Sequence, residues 1–184
     1  MPTWAWILIA IAAVAIIGAI AWSAFSARRR RGLQDRFGDE YDRTVADAPS
    51  RREAEAELSE RERRREELDI RPLEQSRRDR YASQWQNTQA AFVDNPEEAV
   101  AEADRLIQQV MRERGYPVDD FDQRASDLSV DHPEVITNYR AAHDISRAND
   151  RGNASTEDLR TAMVHYRALF AELLETEPAE SPRR

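Results

Sequence analysis

The stretch DNPEEAVAEADRLIQQVMRERGYP, residues 94–117, decides the fold class. Asn95 supplies a side-chain oxygen for the open amides of a helix start, and Pro96 stands at the first helical position, where its missing N–H costs nothing. Val100, Ala103, Ile107 and Val110 then recur at helical spacing, flanked by Leu106 and Met111. Gly115 suits the left-handed residue after a last turn, and Pro117 blocks continuation. A complete helix, start and stop included, is written in these residues.

The same grammar repeats on both sides. Upstream, Tyr81, Trp85, Thr88 and Phe92 share a face of a helix ending near Val93. Downstream, VDDFDQRASDLSVD reads as a short capped helix with Phe121 and Leu128 inward. The next helix opens on a box from Asp131 to Glu134, points Ile136, Tyr139 and the Ala142/His143 level inward, and stops at Gly152. Ser155 with Asp158 starts the last, where Leu159, Met163, Tyr166, Phe170 and Leu173 form a stripe. No strand-period run of useful length occurs. The sequence predicts an all-α chain: an N-terminal transmembrane helix, a charged stalk helix and a small C-terminal helical bundle. The expected units are an anchor over 1–27, juxtamembrane and stalk helices over 28–73, an acidic bundle over 74–177 and a disordered tail over 178–184.

The anchor expectation rests on Trp4 to Ala24, a nearly wholly apolar run. As a helix it would be about 31 Å long, matching a hydrocarbon slab of about 30 Å. Trp4 and Trp6 near one end and Trp22 near the other sit where interfacial indoles belong. A signal peptide would carry a basic n-region and a shorter apolar core. Ala24 and Ser26 could serve as a cleavage site, but Arg28, Arg29, Arg30 and Arg31 would then have to cross the membrane directly behind it. The arginines instead predict an uncleaved anchor in a bacterial cell membrane, N-terminus outside and the rest cytoplasmic. They would also meet anionic lipid headgroups, each worth about 1 kcal/mol near the surface. Ala15 and Ala19 have the small-xxx-small spacing of a helix-dimer face, so a homo-oligomer is an open alternative.

Beyond the anchor, Leu33, Phe37, Tyr41 and Val45 recur every four residues and predict one amphipathic helix ended by Pro49 and weakened by Gly38. Ser50 and Glu53 then open a run to Asp69 in which Leu58 and Leu68 are the only large apolar residues. Pairs four apart support it: Glu57 with Arg61, Glu60 with Arg64, Arg63 with Glu67. A helix polar on all sides is expected either as a solvent-bridging spacer of about 28 Å or as a weakly packed outer helix.

Charge and composition exclude several functions. All 27 basic residues are arginine, against 35 acidic ones, for a net charge of −8, and cysteine is absent. Thiolate metal sites, disulfides and cysteine nucleophiles are therefore excluded. Residues 28–80 carry 16 Arg and 15 Asp/Glu, while residues 81–184 carry 11 and 20, so nucleic acid is not an expected partner. No nucleotide-loop, nucleophile-elbow or HExxH motif is present, and no catalytic residue, metal ligand or cofactor is predicted. His132 reads as a cap, and His143 and His165 as half-buried imidazoles near packed faces. Asp120, Asp122 and Asp131 fit three positions of a calcium loop, but Arg124 and Ala125 occupy the fifth and sixth, which rejects it.

One elbow remains, RGYPVDDFDQRASDLSVDHPE over 114–134, where Tyr116, Asp119, Asp120 and Phe121 are candidates for a partner surface; the alternative is that the acids cap helices and the aromatics plug the bundle. The stretch MRERGYPVDDFDQRASDLSVDHPEV, with EYDRTV, SRREAEAEL and RREELDIRPL upstream and STEDLRTAMVHYRALF downstream, resembles a group of uncharacterised bacterial single-pass membrane proteins. The resemblance implies a bacterial source and one N-terminal span, and brings no activity or site residues. The expected function is a membrane-tethered protein–protein interaction or scaffold module, not an enzyme. The alternatives are an exported envelope protein or a helical domain that binds a small ligand or catalyses a reaction.

Overall fold

The computed structural model describes the backbone of residues 3–175 and the side chains of residues 16–18 and 20–175. Within them are eight helices and no strand: α1 Thr3–Phe37, α2 Asp39–Asp47, α3 Arg51–Glu67, α4 Gln75–Ala91, α5 Pro96–Arg114, α6 Phe121–Asp131, α7 Pro133–Asp150 and α8 Thr156–Glu175. Among the described residues no helix is long and apolar enough to cross a membrane. The side chains of residues 1–15 and Ala19, which make up most of the expected anchor and include Trp4, Trp6 and the Ala15/Ala19 pair, lie outside the described residues, as does the expected tail over 178–184.

Helices α5, α6 and α8 start at the side-chain caps their sequences supply. Asn95 accepts the Glu98 amide at 3.4 Å, and Gly115 takes a φ of 102°. A side chain at Gly115 would be barred twice, since its Cβ would stand 2.4 Å from the Asp69 carbonyl oxygen. That approach pins the α3–α4 connection to the end of α5, where the Arg71 amide donates to the Arg114 carbonyl at 2.8 Å. Helices α7, α8, α5 and α4 pack in succession around one core. It holds Leu106, Ile107, Val110, Leu128, Ile136, Tyr139, Tyr166 and Leu169, with Trp85 stacked on Phe170 at 4.6 Å.

The N-terminal helices depart from expectation. The four-residue stripe is not one helix: Gly38, at a φ of 50°, separates α1 from α2. The turn still leaves Leu33, Phe37 and Tyr41 buried in a second small core, with Val45 packed against it. That core is completed by Leu58 of α3 and Val130 of α6. The spacer expectation for α3 is corrected, because α3 lies along α1, α2 and α6. Its buried face is Ala54, Leu58, Arg61 and Arg65, a regular helical stripe in which arginine holds two positions that apolar residues usually hold. Glu57 pairs with Arg61 as expected, but Glu60 pairs with Arg63 rather than Arg64.

Candidate functional site: a buried charged seam

The arginines of the α3 stripe need buried acceptors, since an uncompensated internal charge is strongly unfavourable. Two acceptors meet them where α1–α3 lie against the bundle. The first is Glu40 of α2, which is fully buried. Its Oε1 accepts from Arg61 Nη1 of α3 at 2.8 Å, from Arg140 Nη2 of α7 at 2.8 Å and from Arg43 Nη1 at 3.3 Å. Arg61 also donates to Ser129 Oγ of α6 at 3.2 Å, so one carboxylate and one guanidinium join four helices. Burial lowers the proton affinity of the Arg140 guanidinium, and Glu40 opposes that shift. A cleft of about 380 Å³ opens beside this cluster, with Arg43, Arg61 and Arg140 facing the acids Asp47, Glu57 and Asp122.

The second acceptor is Asp131 at the end of α6. Its Oδ2 takes Arg65 Nε of α3 and, at 2.7 Å, the phenol of Tyr116. Burial first and the Asp131 charge second push the Tyr116 phenol far up, so it acts here as a donor only. The capping box expected from Asp131 to Glu134 therefore does not form: α7 starts at His132 with no side-chain cap. The His132 ring turns inward instead, its Nδ1 lying 3.2 Å from Glu172 Oε1 of α8. Beside it the buried Arg114 donates from Nη1 to the Leu173 carbonyl at 2.8 Å.

A separate polar group belongs to the bundle itself. Arg124, proposed above as the residue that spoils a calcium loop, is buried and donates to the Tyr139 hydroxyl at 3.2 Å and to the Val118 carbonyl at 2.5 Å. Burial, with Asp104 next, pushes the Tyr139 phenol up to about 12. Tyr166 donates to Asp104 Oδ1 at 3.1 Å.

The residues singled out in the sequence fall in different places. Trp22 is 74% exposed. Arg28 and Arg31 are exposed, whereas Arg29 donates to Ser59 Oγ of α3 at 2.7 Å and Arg30 is half-buried near Tyr41. The four arginines are thus split between solvent and the α1–α3 contact. The elbow residues do not make one exposed patch. Tyr116 is buried, Asp120 caps α6 by accepting the Gln123 amide at 2.8 Å, and Phe121 is half-buried and stacked on His143 at 3.5 Å. Asp119 alone is free of such roles and exposed. The pairings Glu40–Arg61, Arg65–Asp131 and Glu40–Arg140 are not legible in the sequence, because the partners lie 21 to 100 positions apart. No protein-family model, curated protein or solved structure matches the chain.

Proposed function

We propose that the chain is a membrane-tethered helical interaction module, in which residues 4–24 are the anchor and α1–α3 clamp the acidic bundle beside the bilayer. One observation carries the reading. Helix α1 is continuous from Thr3 to Phe37, exposes Ile16, Ile17, Ile20, Trp22 and Phe25 at 59–74%, and then buries Leu33 and Phe37 under α2 and α3. Five large apolar side chains between residues 16 and 25, each more than half exposed among the described residues, favour lipid or a partner as their surroundings. The length and composition of the Trp4–Ala24 run favour lipid. Arg28–Arg31 support a bacterial inner face on the C-terminal side, so the bundle is cytoplasmic in this reading. The role is non-enzymatic: the acidic composition of the bundle offers a protein partner charge complementarity, and no nucleic acid takes part.

The absence of cysteine supplies the test. Asn153→Cys places a thiol on the exposed α7–α8 turn of the full-length chain. Cells treated with a membrane-impermeant maleimide are expected to label only after lysis, with the protein in the carbonate-resistant membrane fraction. Labelling of intact cells would move the domain outside, as an exported envelope protein. Release into the soluble fraction would overturn the anchor.

A further inference from the structure

We propose that His132, Glu134 and Glu172 form a binding site for a single first-row divalent cation, best matched by Zn²⁺, joining the first turn of α7 to the last turn of α8. One ligand atom from each of the three residues can be chosen so that all lie within 4.8 Å of one another. The His132 Nδ1 to Glu172 Oε1 distance is 3.2 Å. With Zn–N and Zn–O bonds of about 2.0–2.1 Å, that separation spans an angle of about 100° at the ion, close to tetrahedral. The pair is thus spaced for an ion without moving the backbone. Glu134 is exposed, so its side chain can rotate to close the third position, and the solvent side leaves the fourth to water.

The surroundings suit such a set. The His132 side chain is 1% exposed and held in place by its position between α6 and α7. Two charged neighbours bear on the ion. Asp131 is already engaged by Arg65 and Tyr116, so it adds no free carboxylate. Arg114 lies within electrostatic reach of Glu172 and opposes a cation, which lowers affinity. Two carboxylates against one guanidinium leave the pocket at −1 before a divalent ion enters. An imidazole in the donor set discriminates against Ca²⁺ and Mg²⁺, which prefer all-oxygen shells.

The inference stands apart from the membrane reading, and its test uses the full-length, chelator-treated protein. Titration with Co²⁺ is expected to give the visible bands of a four-coordinate site at one equivalent, and Zn²⁺ to displace it. Mg²⁺ at the same concentration is expected to leave the bands unchanged. Glu134→Gln, at an exposed position that does not support the core, is expected to weaken Zn²⁺ binding at least about tenfold. Glu172→Gln is expected to remove the Co²⁺ bands while circular dichroism shows the helices intact. Binding that is absent at millimolar Zn²⁺, or that is unchanged in both variants, overturns the site.

Discussion

Replacing Glu40 by Gln keeps the side-chain volume and removes the charge that three guanidiniums share. Arg61 retains Glu57 at 2.5 Å and Arg43 retains Asp47 at 3.3 Å. Arg140 has Glu40 as its ion-pair partner and a side chain only 15% exposed, so it is left as a half-buried charge without its partner. Breaking a buried pair from one side costs about 3–5 kcal/mol. The two surviving pairs and the adjoining cleft, which admits water, place the expectation at the lower end, about 3 kcal/mol. For a chain of this length each kcal/mol moves the melting midpoint by about 2–4 °C, so Glu40→Gln should melt about 6–12 °C lower. Calorimetry of the full-length protein in mild detergent at neutral pH is the assay. The double change Glu40→Leu with Arg140→Met should recover most of the loss, because apolar packing replaces buried ion pairs at little or no penalty. A Glu40→Gln protein melting within about 1 °C of the parent would refute the argument and show that the seam is hydrated and loosely held.

Other outcomes follow from the same packing. Gly115→Ala meets both an unfavourable positive φ and the Asp69 carbonyl, and should lose at least about 2 kcal/mol in denaturant melts; an unchanged midpoint would contradict that close approach. Leu58→Ala empties the centre of the small core and should cost about 2–4 kcal/mol. Hydrogen exchange should then rise in α1–α3 while α5 and α8 keep their protection, since the two cores are separate; uniform loss would show one cooperative unit. Asp127 is buried, and desolvation raises its carboxyl's proton affinity above that in the unfolded chain. Its stabilising protonated form is therefore fully present below about pH 4 and lost as pH rises through the folded value. Asp127→Asn should consequently melt higher than the parent at neutral pH, with the gap closing under acid; a gap that widens as pH falls would reverse the sign.

The bundle was legible because its instructions are local. Asn95, Pro96 and Gly115 mark the ends of α5 within one turn of the residues they serve, and the Leu159–Leu173 stripe of α8 is buried throughout. The seam was not legible, for a physical reason of its own. On α3 the buried stripe runs from Ala54 and Leu58 into Arg61 and Arg65, so a hydrophobicity count sees a helix with no inner face. Arginine is read as surface unless its acceptor is known, and Glu40 and Asp131 come from other helices. Asp131 misled in the opposite direction: followed by Glu134 it looks like a cap, yet Arg65 and Tyr116 claim its carboxylate. For Tyr116 the sequence leaves two readings open, a partner surface or a plug of the bundle, and its burial beside Asp131 fits the second. Gly38 carried a signal that the four-residue stripe outweighed. The glycine breaks the helix, and the chain turns so that both halves still feed one core.

The unbroken run of α1 from Thr3 to Phe37 has a mechanical corollary. A helix is stiff along its axis, and each residue advances its azimuth by about 100°. Whatever grips the first half of α1 therefore sets the compass bearing of everything clasped to Leu33 and Phe37. One alanine inserted at Ala27 would swing the clasped body by about 100° without altering any contact within it, and four would nearly restore the original heading while lifting it by about 6 Å. The chain is in this respect a key on a shaft, in which the number of residues between bit and bow fixes the face that is presented.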